Sequence, residues 1–394
     1  MLITKTKLKQ IGIVIASHQG KRVKLIQEGL GGIRDVILNS SYLIYGKAFQ
    51  KVDEPLRNAQ HMSSFLAQVP RHGIETLALI VFSVVAYSYV TLGNENGVVI
   101  PILAATALGV QRIMPALQTA YHSWTFWISG KETLIDVLNL LENEEFSDII
   151  SSNNPLSLQF NKLIAIKNVN FSYLKSEPPV IQSLSMEVKK GDRIGIIGGT
   201  GCGKSTFIDI LIGLLEPDSG TINVDNTKLN RSNLGSWRKK ISHVPQNIFL
   251  VDGTVKENIA FGVTSSEIDD SRVCWAAKIA QLTSMIEQLP MKYNNSVGEQ
   301  GSSLSGGQRQ RIGIARALYK GGSVLVLDEA TSALDGKTET LVMDAIARLG
   351  KSITVIIIAH RLTTLKFCNK VFEIENGKIL RYGDYNKIIG TSSN

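Results

Sequence analysis

Residues 193–206 read RIGIIGGTGCGKST. A short apolar run is followed by G-x-x-x-x-G-K-S, and the next stretch, FIDILIGLL, has a helical pattern. Strand, glycine-rich turn and helix in that order are the context a phosphate loop requires. Glycines let the backbone wrap an oxygen-rich anion without Cβ clashes, and the helix start adds unpaired N–H groups and a favourable dipole. Lys204 supplies a point charge for the outer phosphates, and the Ser205 hydroxyl suits a magnesium ion. The expected nucleotide-binding loop is therefore Gly198, Gly199, Thr200, Gly201, Cys202, Gly203, Lys204, Ser205 and Thr206. Cys202 reads as a small filler of the loop in preference to a redox switch.

Working outward, SVLVLDEATSALD at 323–335 is a buried-looking strand that ends in two carboxylates. An apolar run ending in Asp-Glu means little alone, since many strands end in solvated acids. Downstream of a phosphate loop, Asp328 is placed to hold Mg²⁺, and Glu329 to act as the base for an attacking water. Between the two motifs lies SLSGGQRQ, residues 303–310, leading into RIGIARALY. It has the glycines and helix start of an anion site but no lysine of its own. An isolated helix N-terminus is a weak anion site, yet it can clamp a nucleotide that is anchored elsewhere. From residue 160, where LIAIKNVNFSY alternates like a strand, strand and helix signals follow one another to the C-terminus. That pattern predicts an α/β domain.

The succession of the phosphate loop, VPQ (244–246), LSGGQ (304–308), LVLDE (325–329), SALD (332–335) and AHR (359–361) resembles the nucleotide-binding domain of ABC transporters. The resemblance covers about residues 160–394 and implies an α/β P-loop NTPase with a helical subdomain. It implies that Tyr173 stacks on adenine, that Gln246 senses Mg²⁺ and the attacking water, and that His360 contacts the γ-phosphate. Without it, Tyr173 would be a strand-end aromatic and His360 the end of the apolar strand TVIIIA. It also implies that Ser305, Gly306, Gly307 and Gln308 cap the nucleotide held by the loop of a second chain, in a head-to-tail dimer. SVGEQG (296–301) and TVKENIAFG (254–262) are similar to exporter sequences, with Gln300 where that family usually has Arg.

The N-terminal part has a different texture. Residues 1–72 hold 11 Lys/Arg against 4 Asp/Glu, so most of the formal +8 lies there. Such a flank suits either a nucleic-acid arm or the cytoplasmic side of membrane spans. The next segments favour the second. IETLALIVFSVVAYSYVTL (74–92) and VVIPILAATALGVQRIMPAL (98–117) are each long enough to cross a ~30 Å hydrocarbon core, with GNENG between them. The alternative is a pair of buried core helices. Arg112 reads as a guanidinium reaching the interface, in preference to a ligand for a lipid pyrophosphate. The first residues, MLITKTKLKQIGIVIAS, have too short an apolar stretch for a signal peptide. Three separated cysteines, Cys202, Cys274 and Cys368, make neither a disulfide framework nor a zinc pattern.

The expected organisation is an all-α transmembrane segment over 1–146, with a coupling region at about 27–72 and two spans, a linker at 147–159, and the ATPase domain over 160–394. Residues 27–50 resemble the cytoplasmic extension after the fourth span of exporters, so the two spans match the fifth and sixth. GLGGIRDVILNS and PRHGIETLAL resemble flippases of lipid-linked oligosaccharides. The expectation is ATP-driven export or flipping by an integral membrane protein, in the inner or plasma membrane if bacterial, with its ATPase domain in the cytoplasm. ATP and Mg²⁺ are the expected cofactors. Expected partners are a second ABC subunit, identical or different, membrane lipid, and a chain supplying the first four spans, with no nucleic acid. The rival is a membrane-anchored ABC ATPase, or a truncated remnant, that hydrolyses ATP without a pathway of its own.

Overall fold

The computed structural model describes residues 2–91, 99–141, 158–359 and 361–389. The chain divides into two compact units, Met1–Ile149 and Ile150–Asn394.

The first unit is helical: α1 (Leu2–Gly31), the short α2 (Ile33–Leu38), α3 (Tyr42–Thr91) and α4 (Val99–Leu141). At 1.5 Å per residue the 50 residues of α3 run about 75 Å, so the expected coupling region and first span fall largely on one continuous helix. α1 and α3 pack along a shared seam, and Leu8 of α1 and Leu56 of α3 are fully buried. Beside that seam, buried Asp53 receives Arg57 at 2.5 Å from one turn along α3 and Arg22 at 3.5 Å from α1. A carboxylate removed from water is tolerable here because two guanidinium groups face it. Gly12 lets α1 approach α4 closely, since a Cβ there would stand 2.5 Å from the Ser129 carbonyl oxygen. Among the described residues no helix is long and apolar enough to cross a membrane. The expected spans at 74–92 and 98–117 both run into residues 92–98, which lie outside the described part, as does most of the expected linker.

The second unit holds two sheets. One is antiparallel, in the order β2 (Ile181–Lys189), β1 (Leu163–Phe171), β4 (Ser219–Val224), β5 (Thr227–Lys228). The other runs β10 (Lys378–Gly383), β9 (Lys370–Glu375), β3 (Arg193–Ile197), β8 (Thr354–Ile358), β7 (Val324–Asp328), β6 (Ile241–Val244). All its pairings are parallel except β9 with β10. β7 and β8 are buried at every position, which accounts for the apolar runs VLVL and VIII within them: a parallel strand covered on both faces has no polar side to alternate with. The helix that follows β3, Lys204–Leu211, buries Phe207, Ile208, Ile210 and Leu211. Its end is pinned by buried Trp237, whose Nε1 donates to the Leu211 carbonyl at 2.8 Å. The register places Ile196 of β3 beside Ile358 of β8, Ile358 beside Asp328 of β7, and Leu327 beside Val244 of β6. Four strands therefore end at one edge, where parallel sheets of this kind bind ligands.

Candidate nucleotide site

The phosphate loop leaves β3 at Ile197 and turns into the helix at Gly203, which has φ +101°. A Cβ at Gly203 would stand 2.9 Å from Ile181 Cδ1 and 3.0 Å from the Val180 carbonyl, so backbone conformation and crowding both require glycine. Lys204 is buried for a lysine; its Nζ donates to the carbonyls of Gly198 at 3.0 Å and Gly199 at 2.7 Å, and lies 3.8 Å from Cys202 Sγ. The loop thus curls around its own ammonium group. Cys202 is half-buried and packs against the apolar core, in keeping with a filler. Thr206 bonds the Tyr173 hydroxyl at 3.1 Å, which draws Tyr173 to the loop; its ring stands edge-on to Phe171 and remains 57% exposed.

Asp328 closes β7, with the Ser205 hydroxyl close to its carboxylate. Burial raises the Asp328 pKa, and the charge of Glu329 raises it further; the nearby Ser205 hydroxyl opposes them, Asp209 adds to the rise, and Lys204 opposes it. Asp209 is itself raised by burial. Asp328 Oδ1 is fully buried and has no hydrogen-bond partner. An orphaned anionic oxygen among further carboxylates, beside a serine hydroxyl, fits a divalent cation. Among the described residues no group of three or more His, Cys, Asp or Glu could hold a metal by itself. An ion at this point would therefore draw on Ser205, Asp328 and oxygens of a bound ligand.

Glu329 follows directly and adopts φ +49°, a left-handed conformation that costs a non-glycine residue on the order of 1 kcal/mol or more. Its N–H donates to the Ile358 carbonyl at 3.0 Å, which continues the β7–β8 ladder through the bend. Gln246, two residues beyond β6, donates from Nε2 to Glu329 Oε2 at 2.8 Å. The left-handed turn and this bond together give Glu329 a direction different from that of Asp328. Of the residues singled out in the sequence, Tyr173 is bonded to the loop through Thr206 and Gln246 to Glu329, while the loop, Asp328, Glu329 and Gln246 all lie where neighbouring strands end. His360 lies outside the described residues.

Ser305, Gly306, Gly307 and Gln308 start the helix Gly306–Lys320. Their hydrogen bonds close a capping box: Ser305 Oγ accepts from Gln308 N at 3.3 Å, and Gln308 Oε1 accepts from Ser305 N at 2.8 Å. Ser305 and Gln308 thus bond each other and not the phosphate loop.

A second set of residues was not singled out from the sequence. Buried Glu339 accepts from Thr331 Oγ1 at 2.9 Å, from Thr364 Oγ1 at 2.5 Å and from Arg361 Nη1 at 2.9 Å. Arg361 reaches on to the Leu334 carbonyl at 3.2 Å and that of Ser332 at 3.4 Å. The network braces the turn after β7 against the segment after β8. Its one sequence signal is a carboxylate four residues beyond Asp335, and that cannot be told from a solvated helix face.

Residues 181–332 match the family described as ABC transporter. The chain is 42% identical over 228 residues to ABC transporter B family member 29, chloroplastic, of Arabidopsis thaliana, covering 57% of this chain and 36% of that protein. It is 36% identical over 265 residues to the ATP-dependent lipid A-core flippase of Saccharophagus degradans, covering 67% of this chain and 44% of the flippase. The chain thus spans less than half the length of these relatives. A solved structure titled as a bacterial Atm1-family ABC exporter with ATP bound superposes with a TM-score of 0.85 at 23% identity, covering all of this chain and 69% of the other. At that identity the likeness is one of fold.

Proposed function

We propose that this chain, which carries the ATP-binding domain of an ABC transporter, hydrolyses ATP to drive export or flipping of a substrate across a membrane, as one of two ABC subunits. The observation that supports this most strongly is the convergence of Lys204, Ser205, Asp328, Glu329 and Gln246 where β3, β7 and β6 end. In this reading Lys204 and the loop amides hold the phosphates, and Tyr173 takes the adenine. Ser205, Asp328 and Gln246 hold Mg²⁺, which neutralises charge developing on the phosphoryl oxygens. Glu329 accepts the proton of the attacking water, and His360 orders the γ-phosphate. Ser305, Gly306, Gly307 and Gln308 serve the nucleotide held by the other subunit.

The helical unit supplies the membrane part, with spans near 74–92 and 98–117. Leu77, Leu79, Ile80 and Val84 of α3 and Leu108 and Ile113 of α4 are largely exposed, and lipid suits such apolar surface better than water does. The ATPase unit then lies in the cytoplasm. The name of one relative, a lipid A-core flippase, supports a lipid-linked saccharide as the cargo class to test first.

Glu329→Gln tests the chemistry. Removing a general base should lower ATP turnover by about a hundredfold or more while ATP still binds. Turnover at the wild-type rate would remove Glu329 from that role.

A further inference from the structure

Gln310 lies in the first half of the helix Gly306–Lys320 and is 6% exposed. Its Nε2 donates to Ser332 Oγ at 2.9 Å and to the Glu329 carbonyl at 3.4 Å, and its Oε1 accepts the Ala333 N–H at 2.9 Å. The orientation of the amide is fixed by its partners, because a backbone N–H only donates and a carbonyl only accepts. One buried side chain therefore joins the helix that begins at Ser305 to the backbone of Glu329 and to the turn that follows it.

Glu329 needs such a partner. Its left-handed backbone persists only where the surroundings over-determine it. The amide side is held by Ile358, and the carbonyl side receives the Ser332 N–H at 3.1 Å together with the Gln310 amide. The backbone direction at this residue sets where the carboxylate points.

We propose that Gln310 is a positioning residue for hydrolysis: it holds the backbone of Glu329 in its left-handed conformation and so aims the carboxylate at the attacking water. The proposal rests on the reading of Glu329 as the base. Gln310 bonds no residue of the phosphate loop, so its loss acts on the chemical step and leaves nucleotide affinity in place. A side chain that only filled space would be replaced without consequence by leucine or methionine.

The test measures kcat and KM for ATP on the full chain in its assembled form, for the wild type, Gln310→Leu, Glu329→Gln and the double variant. Gln310→Leu should lower kcat by about tenfold or more, the scale expected of a misaimed catalytic group, with KM within about twofold. In the Glu329→Gln background the same change should have no further effect, because residues acting through one group are non-additive. Should Gln310→Leu not fold, Gln310→Glu at pH 8 keeps the side-chain length and the acceptor for Ala333 while donating to neither Glu329 nor Ser332. It should show the same loss. Unchanged kcat, a loss confined to KM, or effects that multiply in the double variant would overturn the proposal and leave the base intact. Wild-type turnover by Glu329→Gln alone would overturn both.

Discussion

Asp328 and Glu329 are adjacent, and the tasks proposed for them differ because their backbones do. Asp328 ends a buried strand, where desolvation and like charge push its pKa upward. Glu329 bends away at φ +49° to meet Gln246. The acidic pair was legible in the sequence because it ends an apolar run downstream of a phosphate loop. The bend was not, because it depends on partners at Ile358, on the neighbouring strand, and Gln310, on a helix, that only the folded domain brings near. His243 on β6 shows the opposite case, a residue without any motif whose setting is informative. Its Nε2 is buried without a hydrogen-bond partner; burial lowers its pKa, and Lys320 lowers it further. Both effects favour the neutral ring in the folded state, while the unfolded chain protonates as pH falls below about 6.5. Stability contributed by the neutral ring is intact above that pH and is lost on acidification, by up to about 1.4 kcal/mol per pH unit. Thermal midpoints of wild type and His243→Leu between pH 7.5 and 5.5 should show a steeper fall for wild type. Parallel curves would mean that the ring takes up its proton in the folded state.

At the scale of elements, the helix Gly306–Lys320 has one observed use and one proposed use for the same residues. Ser305 and Gln308 cap it reciprocally, and Thr254 and Glu257 do the same for the helix Val255–Ile259. Both boxes are written as Ser/Thr-x-x-Glu/Gln, so they were legible in principle. The glycines of LSGGQ drew the reading toward an anion site alone. The two uses can be separated. Ser305→Asp keeps a good N-cap, so its thermal stability should match wild type to within about 0.5 kcal/mol. Its carboxylate would face the phosphates of the nucleotide it is proposed to clamp, and ATP turnover should be lost. Wild-type turnover by Ser305→Asp would show that this helix start meets no phosphate. The strands β3, β7 and β8 were readable from composition alone, being short, apolar and bounded by motifs. Their order in the sheet was not readable, because β3 pairs with β8 across more than 150 residues of chain while β7 pairs with the same strand across 25.

At the scale of the whole molecule, the proposed nucleotide site joins the loop that carries Lys204 in one chain to the helix start at Ser305 in another. Two chains related head to tail would complete each other's sites, and that arrangement makes a prediction that no single-chain site can satisfy. Lys204→Ala removes the charge of the loop and keeps the cap, whereas Ser305→Asp spoils the cap and keeps the loop. Each variant alone should be nearly inactive. Co-expressed in equal amounts, half of the dimers are mixed. Every mixed dimer has one intact site, made from the loop of the Ser305→Asp chain and the cap of the Lys204→Ala chain. Phosphate release should then recover to about a quarter of the wild-type rate per chain if the sites act independently, since a two-fold dimer carries two of them. Recovery above the sum of the parents identifies a site shared between chains. If co-expression gives only the average of the two inactive variants, loop and cap do not meet across a dimer, and the lysine-free anion site must serve another ligand.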